Sequence, residues 1–261
     1  MPSFRLLWER PSFLNVVADR LPQGRLIVTP RSFCESCNRT LTTVDLLPVI
    51  SFFLLRGKCR TCGARYPARL MGVEFLVGVL FVLVFARFGL GAEFAITCVA
   101  LALMVVVFVI DMEHKLILNV ILAPSALVLL VMSPFWNELG FTREFLGSAS
   151  ALASVANWLV SAAGGFGFFL VILLIAPKGM GAGDVKLAGV LGLLLGFPGA
   201  LVGIWLGVMF GGLAGAALLL LRRMGRKDEV PYGTFLTAGA ALVLLWGSEG
   251  ESEFWLNYVR L

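Results

Sequence analysis

Gly179-Met180-Gly181-Ala182-Gly183-Asp184-Val185-Lys186 lies between two long apolar runs and sets one carboxylate and one ammonium where ionisable groups are costly. Three glycines in five residues disfavour a helix interior. The chain is therefore expected to break here, expose backbone beside Asp184, and restart as a helix with the acid in its first turn. A second carboxylate, Asp111, closes another apolar run in the same way. Either acid alone could simply mark where a helix leaves the lipid. Together they form a candidate pair at one membrane face.

The composition gives the setting. Of 261 residues, 59% are hydrophobic and 14% charged, with a mean hydropathy of +0.93, whereas soluble domains carry about 25% charged residues. This is the composition of an all-α polytopic membrane protein whose surroundings are the lipid bilayer. A net charge of +5 could suggest nucleic acid in a soluble chain. No stacking groove or base reader accompanies it, and no nucleic-acid partner is expected. The first residues hold only the short apolar patch Leu6-Leu7-Trp8, well under the roughly 7 to 15 residues of a secretory signal core. The amino terminus is thus expected to stay on the side where it is made.

Long apolar segments fall at about 71–88, 93–110, 116–133, 157–176, 185–197, 199–221 and 233–247, which reads as about seven transmembrane helices. Seven crossings from one side put Asp111, residues 177–184 and residues 222–232 together on the starting side. Eighteen of the 21 Lys and Arg residues then fall on that side, leaving Arg87, Arg143 and Arg260 opposite. Basic residues favour the cytoplasm, so the amino terminus and both aspartates are expected there. Gly203, Gly207, Gly211, Gly212 and Gly215 are expected to serve close helix packing. Phe197-Pro198-Gly199 reads as a tight turn, and residues 133–158 as the longest loop, facing outward. The predicted organisation is an amino-terminal cytoplasmic domain over 1–69, a membrane domain over 70–247 and a solvated tail over 248–261.

Within 1–69, Cys34-x-x-Cys37 and Cys59-x-x-Cys62 are separated by 21 residues. Each CxxC turn can aim two thiolates at one ion, and two turns close a tetrahedral site suited to structural zinc. Disulfide pairing of the same cysteines would require an oxidising compartment, which the basic count of this segment opposes. Pro48 and Arg56-Gly57-Lys58 between the knuckles fit a small irregular domain held by metal. Cys98, inside a span, reads as a small buried apolar residue.

Two carboxylates sharing a site cannot both ionise cheaply, so one keeps a proton while the other activates water, the division of labour needed to hydrolyse an amide. Asp184 at a helix start and Asp111 at a helix end suggest the base and the proton carrier respectively, by a dipole effect of only about 0.3 to 1 kcal/mol. His114 follows Asp111 by three residues. With no Ser or Cys placed to be its partner, it reads as a solvated interfacial side chain. Lys186 could favour an ionised acid nearby or snorkel to the interface.

At these residues the chain resembles the type IV prepilin leader peptidases, membrane aspartic proteases of the Gly-x-Gly-Asp type. The resemblance runs through Ser12-Phe13-Leu14-Asn15-Val16-Val17, Arg20-Leu21-Pro22, the four cysteines, Tyr66-Pro67 with Glu74, Ile110-Asp111, the Gly179–Lys186 stretch and Val230-Pro231-Tyr232-Gly233-Thr234-Phe235-Leu236. It implies a multi-pass enzyme of the bacterial inner membrane that cuts the basic leader from prepilins or pseudopilins on the cytoplasmic face. Asp111 and Asp184 would be catalytic, with Gly181, Gly183 and Lys186 in the active-site loop and Cys34, Cys37, Cys59 and Cys62 on zinc. It also implies a second activity, methylation of the new amino terminus with S-adenosylmethionine, which maps onto no named residue here.

Two departures stand out. The family's Ile-Pro-Asp after its first aspartate is Ile117-Leu118-Asn119 here, which leaves Asp111 as the acid on this span. The family also has an apolar span just before the stretch matching Ser12, where this sequence has Met1 to Pro11; a late start site, a truncation or a seven-span form are the expected explanations. From other classes, an ion-coupled transporter would show broken helices in both halves, and a non-catalytic scaffold would present the zinc knuckle to a partner.

Overall fold

A computed structural model of the chain describes residues 13–26, 36–37, 39–40, 55, 57–65, 68–141, 150–177, 179–221 and 231–259, the stretch from 247 onward as backbone only. Ser12, Cys34, Pro48, Arg56, Tyr66, Pro67, Lys178, Val230 and the basic cluster from Arg222 to Lys227 lie outside the described residues. Helices dominate what is described: α1 (Phe13–Arg20), α2 (Ala68–Phe88), α3 (Ala92–His114), α4 (Asn119–Met132), α5 (Ala151–Ile175), α6 (Ala182–Leu195), α7 (Gly199–Leu220) and α8 (Tyr232–Val259). An isolated β bridge joins Lys58 and Arg65. The chain divides into two compact units, Met1–Leu83 and Val84–Leu261.

In the first unit, α1 buries Val16, Val17 and Ala18. Its apolar run is too short to span and is used as a packing face. Two polar links tie α1 to the start of α2: Asn15 donates to the Leu70 carbonyl at 3.3 Å, and Arg69 pairs with Asp19 at 2.6 Å. Gly24, with φ +68°, stops the short 3-10 turn that follows α1, as a residue without a β-carbon can. Around the second knuckle the Cys59 N–H donates to the Ala64 carbonyl at 2.8 Å and the Gly63 N–H to the Cys59 carbonyl at 3.0 Å. That turn curls Cys59 and Cys62 to one side.

In the second unit, helices pack through glycines. A β-carbon at Gly192 would lie 2.5 Å from the Ser161 carbonyl oxygen, and one at Gly165 would lie 2.7 Å from that of Ala188, so α5 and α6 meet backbone to backbone. Gly203, Gly207 and Gly211 are buried at spacings of four on the face of α7 that meets α8. Gly212 departs from the packing expectation: one residue round the helix, it has nothing within 4 Å of where its β-carbon would be.

Among the described residues four helices, α2, α3, α5 and α7, are long and apolar enough to cross a membrane, while Asn119–Phe135 and Tyr232–Trp246 are shorter apolar stretches. Large apolar side chains such as Phe75, Val82, Val171, Leu174 and Leu213 remain exposed along them, the surface a bilayer would cover. The fold is all-helical and of the kind expected for a polytopic membrane protein. Helix α6, at 14 residues, reaches about 21 Å at 1.5 Å per residue.

Boundaries moved where caps outvoted hydropathy. Helix α5 begins at Ala151, inside the expected outer loop, because Ser150 accepts from the Ala153 N–H at 3.2 Å. Described residues on either side of that helix start pack together: Trp136 stacks on Trp158 at 5.1 Å, and Trp158 and the Ser133 carbonyl are joined through the Ser154 hydroxyl, each bond 3.1 Å. Helix α8 continues past Trp246 to Val259. The turn at Phe197-Pro198 forms as expected, with the Phe197 backbone held at both N–H and carbonyl by buried Asn157.

Candidate active site

The break at Gly179–Gly181 forms, and α6 restarts at Ala182 with Asp184 in its first turn. Asp184 reaches back to the Gly181 N–H at 3.0 Å, the bond that an acidic third residue makes to the residue capping a helix. Of the three glycines, Gly183 is the one with no room: its β-carbon would stand 2.8 Å from Cβ of Ile117. None of the three has a positive φ. The glycine requirement at 183 thus comes from a close approach, not from the backbone conformation.

Asp111 occupies the last turn of α3, which closes when Lys115 enters the left-handed region at φ +53° and returns its N–H to the Asp111 carbonyl at 2.8 Å. The chain leaves through Lys115–Leu118, carrying Ile117 against Gly183 of α6 and Gly233 of α8. Asp111 is 3% and Asp184 7% exposed, so both carboxylates are screened from bulk solvent. Donors come from the first turn of α8. Thr234 gives Oδ2 of Asp111 its backbone N–H at 2.7 Å and its hydroxyl at 3.1 Å. A β-carbon at Gly233 would lie 3.0 Å from Oδ2 of Asp111 and 2.9 Å from Ile117, which also packs against Gly183, the residue before Asp184. The two acids, 73 positions apart in the chain, are neighbours at one site.

The other expected site residues fall around this pair. Lys186 is exposed and donates to the Asn119 side-chain oxygen at 3.1 Å, bridging α6 to the start of α4. Gly181 contributes its N–H to Asp184. His114 is exposed, as expected of a solvated interfacial residue. Ile117, Gly233 and Thr234 were not singled out for the site from sequence, because each is an ordinary residue near a helix end. The signal that could have found the last two is Pro231, a helix-start marker that places Gly233 and Thr234 among the orphan donors of α8.

In the first unit the sulfur atoms of Cys37, Cys59 and Cys62 lie within 4.8 Å of one another, close enough to hold a metal ion. Cys34 lies outside the described residues. Three converging thiols from two CxxC turns fit a thiophilic metal. Cys98 is buried in α3, as its position in an apolar run implied.

Comparison with known proteins agrees with this geometry. Residues 10–88 match the family described as the bacterial peptidase A24 N-terminal domain, and residues 98–220 match the type IV leader peptidase family. The prepilin leader peptidase/N-methyltransferase of Bacillus subtilis is 33% identical over 239 residues, covering 90% of this chain and 90% of that protein. The protein of the same name from Aeromonas hydrophila is 30% identical over 277 residues, covering 95% and 91%, and that from Pseudomonas aeruginosa 28% over 265 residues, covering 91% and 87%. No solved structure gives a significant match. With two buried acids brought together by apolar helices and relatives matching along nearly its whole length, the chain belongs to the type IV leader peptidase family.

Proposed function

We propose that this chain is an aspartic endopeptidase that removes the leader from type IV prepilins or pseudopilins at the cytoplasmic membrane face, with Asp111 and Asp184 as its catalytic pair. One observation carries the reading: two nearly buried carboxylates meet at the ends of apolar helices, with Ile117 packed against the glycine beside each, Gly183 and Gly233. Such a pair retains one proton between them. The ionised member, Asp184 by its place at a helix start, takes a proton from water as the oxygen attacks the scissile carbonyl. The protonated member, Asp111, gives its proton to the carbonyl oxygen. Collapse of the tetrahedral intermediate breaks the C–N bond as the proton gained by Asp184 passes to the leaving amine and one hydroxyl of the intermediate returns its proton to Asp111, which restores the pair. Gly181, which caps α6, and Gly183 and Lys186, within the first five residues of that helix and not in a loop, lie beside this reaction.

Seven crossings with a cytoplasmic amino terminus in a bacterial inner membrane complete the proposal, with domains over 1–69 and 70–247 and a tail over 248–261. The distribution of Lys and Arg supports that orientation. Zinc on Cys34, Cys37, Cys59 and Cys62 would hold the amino-terminal domain together. Family membership favours hydrolysis over a carrier or a scaffold. The relatives' names include N-methyltransferase, which supports a second step using S-adenosylmethionine as methyl donor. Coexpression with a prepilin, followed by mass spectrometry of its amino terminus, tests both steps. A leaderless product is expected, heavier by one methyl group where the second activity is present. A full-length prepilin would overturn the peptidase reading.

A further inference from the structure

We propose that Thr234 is a positioning residue of the reaction: it holds Asp111 by one carboxyl oxygen and so reserves the other for proton delivery. The proposal rests on Asp111 and Asp184 being the hydrolytic pair. Thr234 reaches the same oxygen twice, with its N–H at 2.7 Å and its hydroxyl at 3.1 Å. Donor and acceptor are both buried. A carboxyl oxygen offers two lone pairs in its plane, and Thr234 alone supplies two donors to Oδ2. A proton carried by Asp111 therefore belongs on Oδ1.

The turn that bears Thr234 is built for this approach. A β-carbon at Gly233 would lie 3.0 Å from Oδ2 of Asp111, so glycine lets the first turn of α8 close on the carboxylate. Buried Thr237 bonds back to the carbonyls of Gly233 and Thr234 at 2.8 and 3.0 Å and fixes the turn from behind. Asp111 in return accepts an N–H that would otherwise be an orphan at the helix start, doing from α3 what a capping side chain does within one helix. These residues lie beyond positions 98–220, which the leader peptidase family model matches.

A purely structural cap and a positioning role differ in what the hydroxyl does. Leader removal from a purified prepilin is measured with the full chain in lipid as wild type, Thr234→Val and Thr234→Ser, with Asp111→Asn and Asp184→Asn alongside. Valine keeps the shape and the N–H but removes the hydroxyl. Its kcat is expected to fall roughly 10- to 100-fold, the worth of a hydrogen bond to a charged group, with KM within about twofold of wild type, while serine stays near wild type. Valine at the wild-type rate, equal losses in valine and serine, or a change confined to KM would overturn the proposal. If the valine variant is not recovered folded, Thr234→Ala against Thr234→Ser makes the same comparison. The underlying reading fails separately, through cleavage at the wild-type rate by Asp111→Asn or Asp184→Asn.

Discussion

Ile117 is the side chain against which both site glycines are fitted, with β-carbons at 183 and 233 standing 2.8 Å and 2.9 Å from its atoms. Gly183→Ala is therefore expected to push Ile117 or α6 aside, at a cost of about 1 to 3 kcal/mol in stability, and to slow cleavage by misplacing Asp184. Adding Ile117→Ala should recover part of both losses, read as melting temperature and leader-cleavage rate in lipid. Failure of the double variant to recover would mean that residue 183 serves something other than this contact. The acids themselves were legible in the sequence, because a carboxylate at the edge of an apolar run has few ordinary reasons to be there. The reason for glycine at 183 was not. Glycine spacing reports backbone freedom, whereas the constraint is a side chain 66 positions earlier, which no local pattern carries.

At the scale of elements, α7 and α8 are held by a glycine face. A β-carbon at Gly207 would meet Cα of Leu236 at 2.8 Å, while at Gly212 it would meet nothing within 4 Å. Gly207→Leu should therefore destabilise the folded protein by at least about 1 to 3 kcal/mol and carry α8, with Thr234, away from Asp111. Gly212→Ala should stay within about 0.5 kcal/mol of wild type. Thermal unfolding in one detergent compares them, and equal behaviour of the two would contradict the glycine face. Sequence alone gave the spacing of these glycines but not which of the adjacent Gly211 and Gly212 faces α8, since an apolar helix in lipid shows no polar side from which to read rotation. Caps were legible where they were polar. Ser150 was available as a start signal for α5, and hydropathy, which sees only the apolar run, placed that start later. At the cysteine knuckles, Cys59→Ser or Cys62→Ser is expected to lower zinc bound per chain, measured by elemental analysis of purified protein. Unchanged zinc would remove the metal from the first unit.

At the scale of the whole molecule, composition announced an all-helical membrane protein, and the described residues include four helices long enough to cross beside shorter apolar ones. Helical character and charge bias could be read from the sequence because each depends on residue type alone. The meeting of α3, α6 and α8 could not, since it depends on packing between segments far apart in the chain. The proposed orientation puts residue 138 outside and residue 226 in the cytoplasm. A phosphatase reporter active only outside should work when fused after Glu138 and fail after Arg226, and the reverse pattern would invert the topology. The pair at the centre is tested most directly by leader cleavage with purified, lipid-embedded wild type, Asp111→Asn, Asp184→Asn and the double variant. If the two acids act as one unit, each single change should cost at least about a thousandfold in kcat and the double variant little more than either. Cleavage near the wild-type rate by either single variant would contradict it.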